Sequence, residues 1–368
     1  MENSTKTKIY NLIILDKSGS MSSIEKAAIS GFNETLGGIR AAQKQYADTQ
    51  EHYVTLLPFC TCSMEYVYDC APVAEVKNLT AKEYQPCCGT PLYDAMGRGI
   101  NDLLRKTKDE KEASVIVTII TDGEENSSHE YNGKAIKALV DKMRNEYGWN
   151  FAYIGTNQDV DAVAAKLSIT NTMYFEDDDA GMEKAWAKER KSRSRMFGNL
   201  NMVHRAMAKC AANGCAPTME ARAEALREVT RNNVNYREIS EFANRMTPDM
   251  ITRLEKGQIF VFGSNIQGFH GGGAARVAME KFGAVYGQGD GLQGQSYAIS
   301  SMEGLENMAK HVDDFIDFAK QHPEMTFLVT RIGCGIAGYS PAEVAPMFAA
   351  AVDIENIWLP KDFWEEII

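Results

Sequence analysis

Apolar and polar positions alternate in blocks over the first half of the chain. Continuous apolar runs of strand length, clearest at residues 10–15 and 114–120, are separated by segments in which apolar residues have helical spacing. We predict helices from Ser23 to beyond Ile39, over 91–104 and over 134–146, and further strands over 53–59, 151–157 and 172–175. Strands and helices that alternate in this way predict a parallel sheet flanked by helices.

A second alternating region begins near residue 236, with strands predicted over 258–262 and 326–330 and a helix beginning near Ala274. Between the two regions, an acidic stretch at 176–179 gives way to a basic run at 184–195, which we interpret as a solvated helix face rather than a contact for an anionic partner. The chain is then polar and helix-prone, with interruptions at Gly214 and Pro217. We therefore predict an α/β protein with two doubly wound domains, at 1–180 and 236–368, and a helical connector at 181–235.

Composition narrows the class of protein. A chain of 368 residues with 44% hydrophobic and 24% charged residues is long enough for two ordinary globular domains. The net charge of −11 argues against nucleic acid as a partner, because affinity for phosphates comes mainly from clustered Lys and Arg. The N-terminus lacks the apolar stretch of a signal peptide, and no run is long enough to span a bilayer, so we expect a cytoplasmic protein without a membrane partner.

Five of the eight cysteines cluster in the sequence, at Cys60, Cys62, Cys70, Cys87 and Cys88. Their spacing matches none of the usual paired zinc knuckles, and Cys60 and Cys62 are predicted to share one face of a strand. We therefore expect reduced, partly buried thiols rather than a zinc site or disulfides. Cys87 and Cys88 closely precede Thr90, so oxidation there could disturb the loop that carries it.

Three short strings occur where a predicted strand ends or a helix begins. They are Asp-Lys-Ser-Gly-Ser at 16–20, Gly-Thr-Pro at 89–91 and Thr-Asp-Gly at 121–123. In an open parallel sheet, ligands sit in the crevice beyond the carboxyl ends of the strands. Hydroxyl and carboxylate oxygens are the hard ligands that Mg²⁺ accepts. The first string alone could be only a turn and helix cap, but the three in order predict a divalent metal site.

With these strings, the first half of the chain resembles the von Willebrand factor A domain and its metal-ion-dependent adhesion site. The resemblance implies a Rossmann-like fold in which Ser18, Ser20 and Thr90 ligate Mg²⁺ or Mn²⁺ directly. It also implies that Asp16 and Asp122 hold the metal partly through water. The remaining coordination position would be filled by an Asp or Glu of a protein partner, which makes the site a binding switch rather than a catalyst.

Glycine-rich loops follow both strong strands of the second region. Gly263-Ser264-Asn265 precedes three glycines at 271–273, and a second loop at 333–339 contains three more. Glycines let backbone amides approach a phosphate closely, and a helix N-terminus favours negative charge. The pattern is neither a dinucleotide fingerprint nor a Walker loop. Two such loops at strand ends can hold a diphosphate.

With both loops in view, the last third of the chain resembles the macro domain, which binds ADP-ribose. The resemblance implies that Asn265 lies near the ribose and that Asp249 contacts the adenine. The implied ligand-binding residues are Asp249, Asn265, Gly271, Gly272, Gly273, Gly333, Gly335, Ile336, Gly338 and Tyr339. Hydrolytic macro domains carry acidic residues after the triple glycine, whereas Ala274 and Ala275 stand here. Ala337 replaces an aromatic residue that often packs against the sugar.

The segment at 286–297, rich in glycine and amide side chains, is expected to form another wall of this pocket. Asp290 and His270 are the nearby titratable candidates for catalysis. Our hypothesis is a two-module binding protein that couples metal-dependent recognition of a protein to an ADP-ribose-like ligand. The alternatives are an ADP-ribosyl or related nucleotide hydrolase that uses those two residues, and an adaptor for a AAA-type ATPase.

Overall fold

The structure, a computed structural model, describes residues 6–156, 160–212, 216–233, 236 and 238–368. The chain divides into two compact units, 1–236 and 237–368. Asn157, Gly214 and Asn235, which figure in the predicted strand and connector, lie outside the described residues. In the part of the chain that is described, no helix combines the length and the apolar character that crossing a bilayer requires.

The first unit is built on a six-stranded sheet with strand order β3-β2-β1-β4-β5-β6, in which only β3 runs antiparallel to its neighbour. The strands are β1 (Thr7–Asp16), β2 (Gln50–Phe59), β3 (Tyr68–Pro72), β4 (Ala113–Thr121), β5 (Asn150–Gly155) and β6 (Asn171–Tyr174). The helices are α1 (Glu25–Gln45), α2 (Leu92–Thr107), α3 (Gly133–Tyr147), α4 (Val160–Lys166), α5 (Asp179–Ala212) and α6 (Met219–Asn232), and a 3₁₀ turn covers Gly19–Ile24. The central strands are nearly continuous apolar runs because helices cover both faces of the sheet.

The segment predicted as a connector is part of the first unit. Trp186 and Phe197 of α5 and Leu226 of α6 belong to the same core cluster as Phe32 of α1. A Cβ atom at Gly31 would stand 2.0 Å from Trp186 Cδ1, so the glycine permits the close approach of α1 and α5. The boundary between the units therefore falls after residue 236, not at 180, because these helices supply one apolar face of the first domain.

The basic run at 184–195 is only partly a solvated face, contrary to the sequence-based interpretation, because Lys184 is exposed whereas Arg193 and Arg195 are buried. Arg193 on α5 is buried, ion-paired with Glu189, and donates to Asn11 Oδ1 at 2.6 Å and to Thr118 Oγ1 at 2.8 Å. Glu189 also accepts a hydrogen bond from Thr118 Oγ1 at 3.0 Å. The polar residues of α5 thus bond to polar side chains that β1 and β4 direct inward.

The second unit has a five-stranded sheet of order β11-β10-β7-β9-β8, parallel except for the β8–β9 pair. Its strands are β7 (Gln258–Ser264), β8 (Gly291–Gln293), β9 (Ser296–Ser300), β10 (Thr326–Val329) and β11 (Ile357–Trp358). Its helices are α7 (Gly273–Lys281), α8 (Leu305–Gln321), α9 (Pro341–Val344) and α10 (Lys361–Ile367), with 3₁₀ turns over Ile239–Arg245 and Ala345–Asp353. The predicted α/β class with two mainly parallel sheets is confirmed.

Candidate metal centre and nucleotide pocket

The predicted metal ligands lie at the edge of the first sheet where the strand order reverses. Asp16 is the last residue of β1, and Asp122 directly follows the neighbouring β4. Ser18 and Ser20 lie in the loop and 3₁₀ turn after β1, and Thr90 lies just before α2. In open α/β sheets this edge is where ligands bind.

Three side-chain oxygens follow one another at short spacing across this edge. Ser18 Oγ lies 3.1 Å from Ser20 Oγ, and Ser20 Oγ donates to Asp122 Oδ1 at 2.7 Å. Adjacent ligands in an octahedron with metal–oxygen bonds of 2.0–2.1 Å lie about 2.9 Å apart. The observed separations are therefore close to those that a magnesium ion requires.

Thr90 faces the same space. A Cβ atom at Gly123 would stand 3.3 Å from Thr90 Oγ1 and 3.7 Å from Ser20 Oγ, so the glycine leaves both hydroxyls accessible from one side. The Thr90 N–H donates to Asn126 Oδ1 at 3.0 Å, and the Asn126 N–H donates back to the Thr90 carbonyl at 3.2 Å. These two bonds fix the position of the threonine.

Asp16 is fully buried and is oriented by its neighbours. Its Oδ1 accepts from the Ser18 N–H at 2.7 Å, and its Oδ2 accepts from Thr121 Oγ1 at 2.6 Å. The Tyr84 hydroxyl donates to the Asp16 carbonyl at 2.5 Å. Burial raises the pKa of Asp16, and the bonds from Thr121 and Ser18 oppose that rise. Neither Thr121 nor Tyr84 was predicted as a site residue, although Thr121 directly precedes the predicted ligand Asp122.

Asp122 provides the observation that best fits a bound cation. Its Oδ2 is buried without a hydrogen-bond partner among the described residues. Burial raises the pKa of Asp122 to about 6, the Ser20 bond opposes this, and the charge of Asp16 adds to it. A buried carboxylate oxygen without a partner destabilises a fold unless a positive charge compensates it. The donor set and its spacing fit a small, hard divalent cation.

The second unit brings the two predicted glycine loops to one cavity of about 270 Å³ at the ends of β7 and β10. Of the predicted ligand-binding residues, those that line it are Asn265, Gly272, Gly273, Gly333, Gly335 and Ile336. Gly271, Gly338 and Tyr339 do not line it, although the Tyr339 N–H donates to the Gly333 carbonyl at 3.1 Å and so closes the second loop. Asp249 instead lines a neighbouring cavity of about 330 Å³.

Two residues of this pocket were not predicted as binding residues. Arg331 follows β10, lines both cavities together with Ala274 and Thr330, and lies 3.4 Å from Asp249 in an ion pair. Phe269 is 55% exposed and stacks on Tyr286 with ring centroids 5.6 Å apart. Its ring forms an aromatic part of the cavity lining.

The candidate catalytic residues lie outside the lining of the glycine-loop cavity. Asp290 accepts from the Ser300 N–H and Oγ, each at 2.7 Å, and also contacts His311. His270 is fully buried, with its Nε2 3.1 Å from Ser264 Oγ. The segment at 286–297 forms β8 and the start of β9 and contributes no wall to this cavity, contrary to expectation. Among the described residues, the lining contains neither a carboxylate nor a histidine.

No protein-family model matches the chain, and no curated protein sequence matches it. Its structural neighbours are von Willebrand factor A domains, which align with about half of it. That of Catenulispora acidiphila is 16% identical and covers 50% of this chain and 42% of its own, with a TM-score of 0.33. Proximal thread matrix protein 1 from the mussel byssus is 12% identical over 49% and 44%, with a TM-score of 0.33.

A third neighbour, the manganese-loaded TRAP protein of Plasmodium vivax, is 16% identical over 50% of this chain and 74% of its own, with a TM-score of 0.32. The mussel protein has also been solved with zinc in its adhesion-site motif. This chain spans less than half the length of the first two neighbours. The neighbours give no support to a macro-like second unit. At these TM-scores the function has to be inferred from the site geometry.

Proposed function

We propose that the first unit binds Mg²⁺ or Mn²⁺ and, through the metal, a carboxylate of a protein partner. The observation that carries this is the buried, unpartnered Oδ2 of Asp122 beside the Ser18 and Ser20 hydroxyls. Ser20 is exposed, so a metal held there would face the surface. A carboxylate is the expected incoming ligand because it is a hard donor that also neutralises charge.

Calorimetry with Mg²⁺ and Mn²⁺ tests the metal site. The wild-type chain should bind one ion, and Asp16→Ala should abolish binding because it removes one of the two carboxylates of the donor set. Asp48→Ala is the matched control, since Asp48 is an exposed carboxylate just before β2, at the opposite edge of the sheet. Equal metal affinity in Asp16→Ala and the wild type would exclude the assignment.

The partner is tested separately by capture on the immobilised chain in Mg²⁺ and again in excess EDTA. A partner that depends on the metal site should be released by EDTA and should fail to bind the Asp16→Ala chain. A partner that is retained in EDTA and also by the Asp16→Ala chain would bind elsewhere. The switch hypothesis would then be wrong for that partner. Co-purification of an ATPase that dissociates in EDTA would favour the adaptor alternative.

For the second unit we propose binding of an ADP-ribose-like ligand. This is supported by the two glycine loops on one cavity and by Arg331 between that cavity and the one lined by Asp249. In this arrangement the backbone around Gly272 and Gly335 holds the diphosphate, and Phe269 covers the sugar. Backbone amides and a guanidinium are suited to phosphate oxygens.

Binding without hydrolysis is the expected outcome, because the described lining offers no carboxylate or histidine as a general acid or base. The test is incubation of the chain with ADP-ribosylated protein and separate titration with free ADP-ribose. Saturable binding without release supports a binding module. Release that is lost in Asp290→Ala would instead support the hydrolase alternative.

A further inference from the structure

Four cysteines from two separate loops meet beside the loop that follows β1. Cys60 directly follows β2, and Cys62 lies two residues further in a turn that the Cys60 N–H closes onto the Ser63 carbonyl at 2.9 Å. Cys87 and Cys88 lie in the loop before α2. Cys62 and Cys88 form a disulfide, which corrects the expectation that all thiols are reduced.

The Cys87 thiol lies close to the other three sulfurs. Cys60 Sγ lies 3.4 Å from Cys87 Sγ. The sulfur atoms of Cys62, Cys87 and Cys88 all lie within 4.8 Å of one another. A disulfide alone would require only two of these four residues. Cys60 is buried, at 2% exposure, and its thiol faces the cluster rather than solvent.

The two loops are also joined by hydrogen bonds that do not depend on sulfur. The Thr61 N–H donates to the Gly89 carbonyl at 3.1 Å, and the Gly89 N–H donates to Thr61 Oγ1 at 3.0 Å. The Cys87 N–H donates to the Lys17 carbonyl at 2.9 Å, and the Gly19 N–H donates to the Cys88 carbonyl at 2.9 Å. Breaking the disulfide would therefore leave the two cysteine loops joined to each other.

We propose that Cys60, Cys62, Cys87 and Cys88 form a thiolate site for a soft divalent metal ion, Zn²⁺, when reduced, and that the Cys62–Cys88 disulfide is the metal-free state of this site. Four sulfurs at 2.3 Å around a tetrahedral zinc ion lie about 3.8 Å apart. Cys87 Sγ lies 3.4 Å from Cys60 Sγ and within 4.8 Å of the sulfurs of Cys62 and Cys88, so its distances to the other three sulfurs are compatible with that separation. Soft thiolates select zinc over the magnesium that the oxygen site accepts.

Conversion of the disulfide to the reduced, metal-binding state requires two electrons and two protons, which a dithiol can supply. The dithiol supplies two electrons and two protons, the Cys62–Cys88 bond breaks to give two thiols, and the dithiol becomes its own disulfide. Zinc then displaces the thiol protons to solvent as its bonds to the four sulfurs form. The site is distinct from the proposed magnesium site, although its backbone is hydrogen-bonded to the loop that carries Ser18.

The test is titration of the full chain with Co²⁺, in excess Mg²⁺, after reduction with a dithiol and anaerobic desalting. The absorption spectrum of bound Co²⁺ identifies its ligands. Thiolate ligation gives a sulfur-to-metal charge-transfer absorption, and tetrahedral geometry gives intense d–d bands. We expect one Co²⁺ per reduced chain, displaced by one Zn²⁺, and none in the oxidised chain. Cobalt bound without the charge-transfer band, or no binding to the reduced chain, would overturn the proposal.

Variants assign the ligands. Cys60→Ser, Cys62→Ser and Cys88→Ser should each weaken zinc binding at least about 100-fold, because loss of a ligand costs more than loss of an outer-shell partner. Cys210→Ser is the matched control, since Cys210 is an exposed free thiol on α5, and it should bind zinc like the wild type. Circular dichroism confirms that each variant is folded. Unchanged affinity in the folded Cys60→Ser and Cys88→Ser chains would also overturn the proposal.

Discussion

Ser20 donates a 2.7 Å hydrogen bond to Asp122 although the two residues are 102 positions apart in the sequence. The bond joins the loop after β1 to the loop after β4, which are adjacent strands. It satisfies one carboxylate oxygen of Asp122 and leaves the other, Oδ2, buried without a partner among the described residues. The second oxygen is therefore free to accept a cation or a donor that the described residues do not supply.

The first prediction concerns Asp122→Asn. The amide keeps an acceptor for Ser20 but removes a partly buried charge whose pKa is raised to about 6, so at pH 7 the metal-free chain should gain about 1–3 kcal/mol of stability. The same change should abolish stabilisation by Mg²⁺, which in the wild type is about 2.7 kcal/mol at 100 times the dissociation constant. Thermal unfolding with and without Mg²⁺ measures both effects.

The control for this variant is Asp48→Asn, which should leave both quantities unchanged because Asp48 is exposed in the turn before β2. A metal-free Asp122→Asn chain that is less stable than the wild type would show that the carboxylate is structural. The two halves of the prediction can therefore fail independently.

The second prediction concerns acid stability and His52, which is buried against Phe197 with ring centroids 4.5 Å apart. Burial, aided by the charge of Arg193, lowers the pKa of His52 to about 3, against about 6.5 in the unfolded chain. Between these values the unfolded state binds more protons, so stability is complete above pH 6.5 and is lost as the pH falls. At pH 5 the loss from this residue is about 2 kcal/mol.

Urea unfolding at pH 7 and at pH 5 measures this loss of stability. Hydrogen exchange of the β1 amides at the same two pH values measures it independently. His52→Gln should lose about 2 kcal/mol less than the wild type between the two pH values, because it has no titrating group. His129→Gln, at an exposed position of the same unit, should behave like the wild type. Parallel pH curves for His52→Gln and the wild type would contradict the assignment.

The third prediction concerns the buried Glu189–Arg193 pair. Arg193→Met removes the cation and leaves Glu189 buried without its charge partner, which should destabilise the first unit by about 3–5 kcal/mol. Lys184→Met on the same helix is the control, since Lys184 is exposed, and it should change stability by less than about 0.5 kcal/mol. Urea unfolding of the three chains measures how much the buried pair on α5 stabilises the first unit.

The sequence was sufficient to predict the first sheet and to place Asp16 and Asp122 at the ends of its strands, for a physical reason. Parallel strands buried on both faces are continuous apolar runs, and ligands at strand ends directly follow those runs, as Asp16 and Asp122 do. The role of Arg193 could not be predicted in the same way. Its partners Asn11 and Thr118 lie on strands far away in the sequence, and the local pattern shows only a polar helix.

The Cys62–Cys88 disulfide was not predicted, for a similar reason, although the clustering of the cysteines in the sequence was noted. Cys62 and Cys88 are separated by 26 residues, and their proximity depends on how the loops at 60–63 and 87–89 turn. In the second unit, the strand ends again predicted that the two glycine loops lie at one cavity. They did not predict the position of Asp290, whose carboxylate bonds to Ser300 instead of facing that cavity.

The last prediction concerns ADP-ribose binding by the second unit. Gly272 has φ −154°, which any residue adopts, and a Cβ atom there would meet only Ile336, at 3.8 Å. Gly272→Glu should therefore fold normally while placing bulk and negative charge where the diphosphate is proposed to lie, and binding should be lost. Gly38→Glu adds the same charge on α1, where a Cβ atom meets nothing within 4 Å, and should bind like the wild type.

Asn265→Asp gives a finer test of the same pocket. Asn265 Oδ1 accepts from the Phe269 N–H at 3.0 Å, and an aspartate keeps that acceptor while replacing the amide N–H donor by a carboxylate. Losing one hydrogen bond to the ribose costs about 1 kcal/mol, which corresponds to roughly fivefold weaker binding, and the added negative charge near the diphosphate should weaken it further. Calorimetric titration with ADP-ribose measures the three variants. Wild-type affinity in both Gly272→Glu and Asn265→Asp would place the ligand outside the glycine-loop cavity, whereas loss in the first and a graded decrease in the second would support the proposed orientation of the diphosphate and ribose.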